Sequence, residues 1–299
     1  MDDPENAQNT TFSANEAGVG RFAFGKNWSS FARTALRKES VDYAVASLQK
    51  LLGRDSLEGL TFLDIGCGSG LFSLAANALG ASEVNSFDFD TDSVHTTISV
   101  RERMSVAACR WNVLQGSVLD DQFMGSLAEA DVVYSWGVLH HTGDMWRAID
   151  NAAKKVKPGG LFAIAIYNNV ERQLGGSRMW WRIKRLYNRS PAIVRRLMEW
   201  SYVARVFAGQ IVRLRTPHRV IEDYASQNPR GMDFWHDVRD WVGGFPYEYA
   251  TAGEVFRYIH RKHGFLLVYL NTHDGHTCEE FTFQRSSGDA VQSPGRGSL

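Results

Sequence analysis

The residues best suited to chemistry in this 299-residue chain lie in one short run, Phe62-Leu63-Asp64-Ile65-Gly66-Cys67-Gly68-Ser69-Gly70. Glycines at 66, 68 and 70 let the backbone turn tightly between a strand and a helix. They also let a ligand approach the main chain without a Cβ in the way. Asp88 lies 22 residues after Gly66, and a carboxylate about 20 residues past such a turn can bind both hydroxyls of a ribose. Together these residues predict a nucleotide-like ligand. A bare strand-to-helix turn is the plainer alternative, but it gives Asp64 and Asp88 no role. A nicotinamide site fits poorly, because its pyrophosphate turn calls for a later glycine where Leu71 and Phe72 stand.

A second group of residues could move protons. His140 and His141 follow an apolar run, and either could accept a proton near pH 7 or instead cap a helix or pack. Tyr167, Asn168 and Asn169 leave a later apolar run and could line an acceptor pocket, although asparagine also serves turns. Asp233, His236, Asp237 and Asp240 recur at steps of three and four beside Trp235 and Trp241, which puts them on one helical face. That face is either solvated or a second source of a base, with His236 and Asp237 as its candidates. Phe22, Phe24, Trp28 and Phe31 could close as a lid or simply pack.

The elements that must position these residues alternate. Strands are predicted at 61–65, 83–89, 111–115, 131–136 and 161–167, with helices at 71–79, 92–104 and 145–156. Lys157-Pro158-Gly159-Gly160 reads as a breaker before the fifth strand. Strand patterns return at 265–270 and 279–284 around Asp274-Gly275, a hairpin signal. A helix at 251–263 precedes them, with Thr251 and Glu254 as a capping box. This order predicts an α/β fold with a parallel sheet covered on both faces.

The resulting organisation is a polar tail (1–20), an N-terminal helical lid (21–60), a catalytic domain (61–167 and 251–285), a helical insertion (168–250) and a second polar tail (286–299). Apolar residues at 44 % supply a full core, and a formal net charge of zero gives no whole-chain pull toward nucleic acid or membrane. Three widely spaced cysteines offer neither a disulfide framework nor zinc spacing. With no membrane-length apolar run, the expected location is cytoplasmic.

The insertion breaks the charge balance. Between Glu171 and Arg219 there are twelve Lys or Arg and two acids, Glu171 and Glu199. Ile193, Leu197, Trp200, Ala204, Phe207, Ile211 and Leu214 recur at helical spacing, with Arg195, Arg196, Arg205 and Arg213 off the stripe. The stripe could pack on the core. The basic residues could instead draw an anionic acceptor, with Trp181 and Arg185 as contacts. Alternatively the helix could lie on an anionic membrane surface, peripheral at its inner face. No RNA-binding module is recognisable, and no nucleic-acid partner is expected.

Taken together, the motifs resemble those of class I S-adenosylmethionine-dependent methyltransferases. Asp64 to Gly70 looks like their motif I and Asp88 like their ribose-binding acid. Gly116-Ser117-Val118 looks like the adenine-flanking segment, the stretch from Asp131 through Gly137-Val138-Leu139-His140-His141 like the fourth-strand motif, and Lys157 to Gly160 like the turn before the fifth strand. The resemblance covers about 61–167 and resumes over 251–284. It implies a Rossmann-like seven-stranded, mostly parallel sheet with an antiparallel last strand. It also implies S-adenosyl-L-methionine as cofactor, held by Asp64, Gly66, Cys67, Gly68, Gly70, Asp88, Phe89, Ser117, Val118 and Trp136. Small-molecule members, ubiquinone-type O-methyltransferases among them, are the similar ones. Phe24 to Trp28, and Gly231-Met232 through Gly243 to Pro246, resemble uncharacterised bacterial members. Some relatives bind a divalent metal through a Glu-rich motif; with Gly137 and His140 in its places, only His141 remains, so no metal is expected. The resemblance points to methyl transfer to oxygen of a small or lipid-linked metabolite or glycan, and the basic insertion adds an anionic acceptor as the expectation. RNA or protein methylation, or a cofactor-binding regulator without catalysis, are the alternatives.

Overall fold

The structure, a computed structural model, describes residues 22, 24–34, 36, 38–104, 109–172, 174–211 and 234–287. The polar tails read at 1–20 and 286–299 lie outside these residues, apart from 286 and 287.

Seven strands form one sheet: β1 (Thr61–Ile65), β2 (Glu83–Asp88), β3 (Arg110–Gln115), β4 (Ala130–Trp136), β5 (Val156–Tyr167), β6 (Leu266–Asn271) and β7 (Cys278–Gln284). Their order is β3-β2-β1-β4-β5-β7-β6. The first five run parallel, and β7 runs antiparallel to both of its neighbours, β5 and β6. This is the Rossmann-like arrangement expected, with the reversed last strand inserted between β5 and β6.

The two-residue period of a strand sends alternate side chains to opposite faces, and both faces are buried. Phe62, Val84, Val132 and Tyr134 meet α2 (Lys38–Leu52) and α3 (Leu71–Ala78) through Ala44, Leu48, Leu51, Leu71 and Leu74. Leu63, Ile65, Val133, Phe162 and Ile164 meet α6 (Met145–Ala153) and α10 (Ala252–His263) through Ile149, Ala152, Val255 and Ile259. Two further helices flank the sheet, α4 (Thr91–Met104) and the short α5 (Asp121–Ser126), whose N-cap Asp120 accepts from the amides of Gln122 and Phe123. The capping box of α10 forms as its sequence predicts, Thr251 with Glu254.

The insertion contributes α7 (Ser177–Arg189), α8 (Ala192–Ile211) and α9 (Phe234–Gly243). Tyr187, Val203, Phe234, Val238 and Val242 knit the three together.

Three expectations are corrected. The Lys157–Gly160 breaker does not precede β5 but belongs to it, because Val156 already pairs with Ala130 across a bulge. The Gly159 amide donates to the Arg285 carbonyl at 2.9 Å and the Arg285 amide to the Gly160 carbonyl at 3.0 Å, so β-type pairing continues through the glycines. The 21–60 segment is not a lid throughout: α2 is a layer of the core, and it is Phe22 and α1 (Phe24–Thr34) that reach the cavity described below. The apolar stripe of α8 does not pack on the core at its start, where Ile193, Leu197 and Trp200 are 73 %, 64 % and 55 % exposed. The helix leans on its neighbours through a different sector, Met198, Tyr202, Val203 and Val206.

Candidate active site

Chain connections leave β1 and β4, neighbours in the sheet, toward opposite edges. That reversal opens a crevice at the carboxyl ends of the strands, where open α/β sheets bind ligands. The glycine loop sits there. The Gly66 and Cys67 amides both donate to the Phe87 carbonyl, at 2.8 and 3.1 Å, and the Gly70 amide closes on the Cys67 carbonyl at 2.8 Å. Gly66 and Gly68 have φ of 76° and 56°, the left-handed region that side chains disfavour. A Cβ on Gly66 would also run into Val138.

The Asp88 carboxylate is fixed across this loop. Its Oδ2 accepts from the Gly68 amide at 3.0 Å and its Oδ1 from the Asp90 amide at 2.9 Å. A carboxylate offers about four acceptor directions, so a group held in this way can also accept from the hydroxyls of a ribose. Asp64 is buried behind the loop and accepts from Ser73 at 2.5 Å; Ser73 lies 2.7 Å from Ser86, which in turn accepts from the Trp111 indole at 2.9 Å. Burial, with Asp88 nearby, pushes the Asp64 carboxyl up to about 7, against the Ser73 bonds. Burial and the two aspartates push the Cys67 thiol well up, so it is not a nucleophile at neutral pH.

These residues open on a cavity of about 590 Å³, within the usual range for small-molecule sites. Phe24 and Trp28 line it from α1, which is tied down where the Gly25 amide donates to Asp90 at 3.0 Å. His141 and Asp240 also line it. The described lining residues include four aspartates, Asp64, Asp88, Asp90 and Asp240, and no Lys or Arg. That charge suits a cationic cofactor. It provides no counter-charge for the anionic acceptor expected from the insertion.

A strap at 245–250 fixes the histidine end of the site. The Glu248 amide donates to the His140 carbonyl at 2.9 Å, and the Glu248 carboxylate accepts from the Gly143 and Met145 amides at 2.9 and 3.1 Å. His141 Nδ1 lies 2.5 Å from the Pro246 carbonyl. A carbonyl only accepts, so Nδ1 carries the proton and the neutral ring has its lone pair on Nε2. His140 has the reverse assignment: its Nδ1 accepts from the Tyr167 amide at 3.3 Å, and its buried ring packs 4.1 Å from that of Tyr167.

Behind Asp240 lies a charged group that the sequence reading did not single out. Lys184 is fully buried, donates to the Trp241 carbonyl, and sits 4.3, 4.8 and 5.8 Å from the rings of Trp241, Tyr247 and Tyr167. Burial pushes its ammonium down to about 7, against the pull of Asp240 and Asp237. A signal was present: Trp180, Lys184 and Tyr187 are spaced four and three apart, so the lysine shares the apolar face of its helix.

Of the residues singled out from sequence, Asp64, Gly66, Cys67, Gly68, Asp88, Phe89, Ser117, Val118, Trp136 and His141 all line the one cavity. Gly70 instead caps α3 against Thr97. His140, Tyr167, Asn168, Trp181, Arg185 and Asp237 do not line it. Asn168 serves a turn, donating to the His273 and Gly275 carbonyls at 3.0 and 3.4 Å, while Arg185 lies over the Trp181 ring. Asp233 and the side chain of His236 lie outside the described residues.

A doubly covered sheet with a glycine-loop and acid cradle at its switch point defines a Rossmann-like nucleotide-binding enzyme class. A family model described as "Methyltransferase domain" matches residues 36–220. That is more than half of the chain, and the chain belongs to this family. Among curated proteins, the ubiquinone biosynthesis O-methyltransferase of Chelativorans sp. is 33 % identical over 126 residues, 40 % of this chain and 44 % of that protein. The ribosomal protein L11 methyltransferase of Oceanobacillus iheyensis is 35 % identical over 112 residues, 38 % and 33 % of the two chains. The match thus spans less than half the length of these relatives. An O-methyltransferase family protein from Burkholderia thailandensis shares the fold, with TM-score 0.51, 15 % identity, and coverage of 89 % of this chain and 60 % of that one.

Proposed function

We propose that this chain transfers a methyl group from S-adenosylmethionine to an oxygen of an uncharged, aromatic or lipid-linked small molecule. The carrying observation is that one cavity is lined both by the Asp88 cradle and by His141 and Asp240. When bound, the cofactor supplies an electrophilic methyl on a cationic sulfonium. Gly66 and Gly68 provide the close backbone approach, Asp88 holds the ribose, and the acidic lining stabilises the positive charge, Asp64 only in part because burial raises its carboxyl to about 7. His141 takes the acceptor's proton at Nε2, while its Nδ1–H stays on the Pro246 carbonyl and stabilises the imidazolium formed. Phe24 and Trp28 help exclude water, which strengthens each of these electrostatic contacts.

The oxygen acceptor is supported by the relatives named for ubiquinone biosynthesis O-methylation. The uncharged acceptor is supported by the absence of Lys and Arg among the described lining residues.

The test is calorimetry of S-adenosylmethionine with wild type and Asp88→Ala, then S-adenosylhomocysteine release with phenolic and prenylated hydroxyl compounds. A charge-assisted bond contributes about 1.5–3 kcal/mol, so the variant should bind at least about tenfold more weakly. A folded wild type that does not bind would refute the reading.

A further inference from the structure

We propose that the outer surface of α7 and α8 docks on an anionic lipid bilayer. Two observations and their combination carry this, and none depends on methyl transfer or on the acceptor.

The first is the apolar face. Ile193, Leu197 and Trp200 occur at steps of four and three, which places them on one face of α8, and they are 73 %, 64 % and 55 % exposed. Trp235 of α9, itself exposed, extends the face 5.4 Å from Trp200. Isolated exposed apolar residues are ordinary, whereas a contiguous row marks an interaction surface.

The second is the charge around it. Arg178, Arg182, Leu186 and Arg189 are all exposed, and their spacing of four, four and three puts them on one face of α7. Arg196 is exposed beside the α8 stripe. From Arg172 to Met198 there are eight Lys or Arg and no acid; of these, only Lys184 is fully buried. None of them is among the described lining residues of the cavity, which is acidic.

The third is the combination. An amphipathic helix with a tryptophan and basic residues at its border matches the interface between headgroups and acyl chains, where arginines meet lipid phosphates and aliphatic side chains leave water. A second copy of the chain would bring one arginine fringe against another. Nucleic acid would satisfy the arginines but leave Ile193 and Leu197 facing a polar backbone. The contact is peripheral, since no helix among the described residues is long and apolar enough to cross a membrane.

The test uses the full chain and co-sedimentation with vesicles of phosphatidylcholine, with and without about one third phosphatidylglycerol. Wild type should bind the anionic vesicles, weaken as salt rises, and stay off neutral ones. Leu197→Glu, and separately Arg182→Gln with Arg189→Gln, should each lower binding at least about tenfold. Both change exposed positions, and unaltered S-adenosylmethionine affinity and thermal unfolding would show an intact fold. The proposal is overturned if wild type ignores anionic vesicles, or if Leu197→Glu binds them as wild type does. Self-association abolished by Leu197→Glu without vesicle binding would assign the face to a second copy. RNA binding that survives Leu197→Glu but not the arginine changes, again without vesicle binding, would assign it to nucleic acid.

Discussion

Replacing Lys184 by methionine shortens the side chain by one atom, removes its charge and leaves its aromatic box largely filled. The folded ammonium titrates at about 7 against an ordinary lysine value of 10.5. Between those values the unfolded chain binds the extra proton and the folded chain does not. Stability therefore rises with pH across that window. Below it both states are protonated and the full cost of the buried charge is present; above it the cost is gone. Integrating the two titrations, wild type should gain about 2 kcal/mol on Lys184→Met between pH 7 and pH 9. The measurement is urea unfolding of both proteins at the two pH values, read as the difference of differences. Asp64 titrates near 7 in both proteins and cancels. At pH 7 the variant should be the more stable protein, offset by loss of the bond to the Trp241 carbonyl and of the ring contacts. A difference that stays flat within a few tenths of a kcal/mol from pH 7 to 9 would mean that the ammonium is hydrated, and the argument from its burial would fail.

Two other perturbations separate chemistry from folding. His141→Ala should lower turnover by about 10²–10⁴-fold while leaving S-adenosylmethionine affinity within a few-fold of wild type, measured by product release and calorimetry in parallel; equal loss in both would make His141 a structural residue of the cofactor site. Phe62→Ala removes a fully buried ring between β1, α2 and α3 and should cost about 3–5 kcal/mol in denaturant unfolding; a cost under about 1 kcal/mol would mean that this face of the sheet is not a packed core.

The cofactor half of the site was legible because it is encoded locally. Gly66, Gly68 and Asp88 lie within one βαβ unit, and each residue type answers a backbone need: left-handed φ at the glycines, and a carboxylate where the Gly68 and Asp90 amides converge. Strand periodicity likewise exposed the sheet, since both faces are buried and the apolar runs are short. The histidine half was less legible because it is assembled across the chain. His141 is oriented by a carbonyl 105 residues away, and the Trp136 indole donates to Glu280 across 144. Spacing gave His140 and His141 equal standing; the strap from 245 to 250 separates them, turning His140 inward to the Tyr167 amide and leaving His141 at the cavity. Helical spacing joined His236 and Asp237 to Asp240, yet only Asp240 is seen at the cavity, because α9 packs on Lys184 and the aromatic rings beneath it.

The charge asymmetry along the sequence has a spatial counterpart, and this separates two roles that a single reading had merged. The basic stretch looked suited to drawing an anionic acceptor toward the reacting centre. In the fold, Arg178, Arg182, Arg189, Arg195, Arg196 and Arg205 are exposed on α7 and α8, while the described cavity lining holds four aspartates and no Lys or Arg. Among the described residues of that stretch, Lys184 is the one cation carried fully inward; burial lowers its hold on its proton, and it is set against Asp240. The insertion therefore acts on its two sides by different physics. Inward, it supplies an acid, Asp240, to the cavity and buries a titratable base, Lys184, behind it, where low dielectric gives each charge a large effect. Outward, it presents cations and apolar residues to the surroundings, where charge acts through screened attraction over about one Debye length. An acceptor that partitions into lipid would join the two, since docking the outer face would raise its concentration beside the cavity without any arginine touching it.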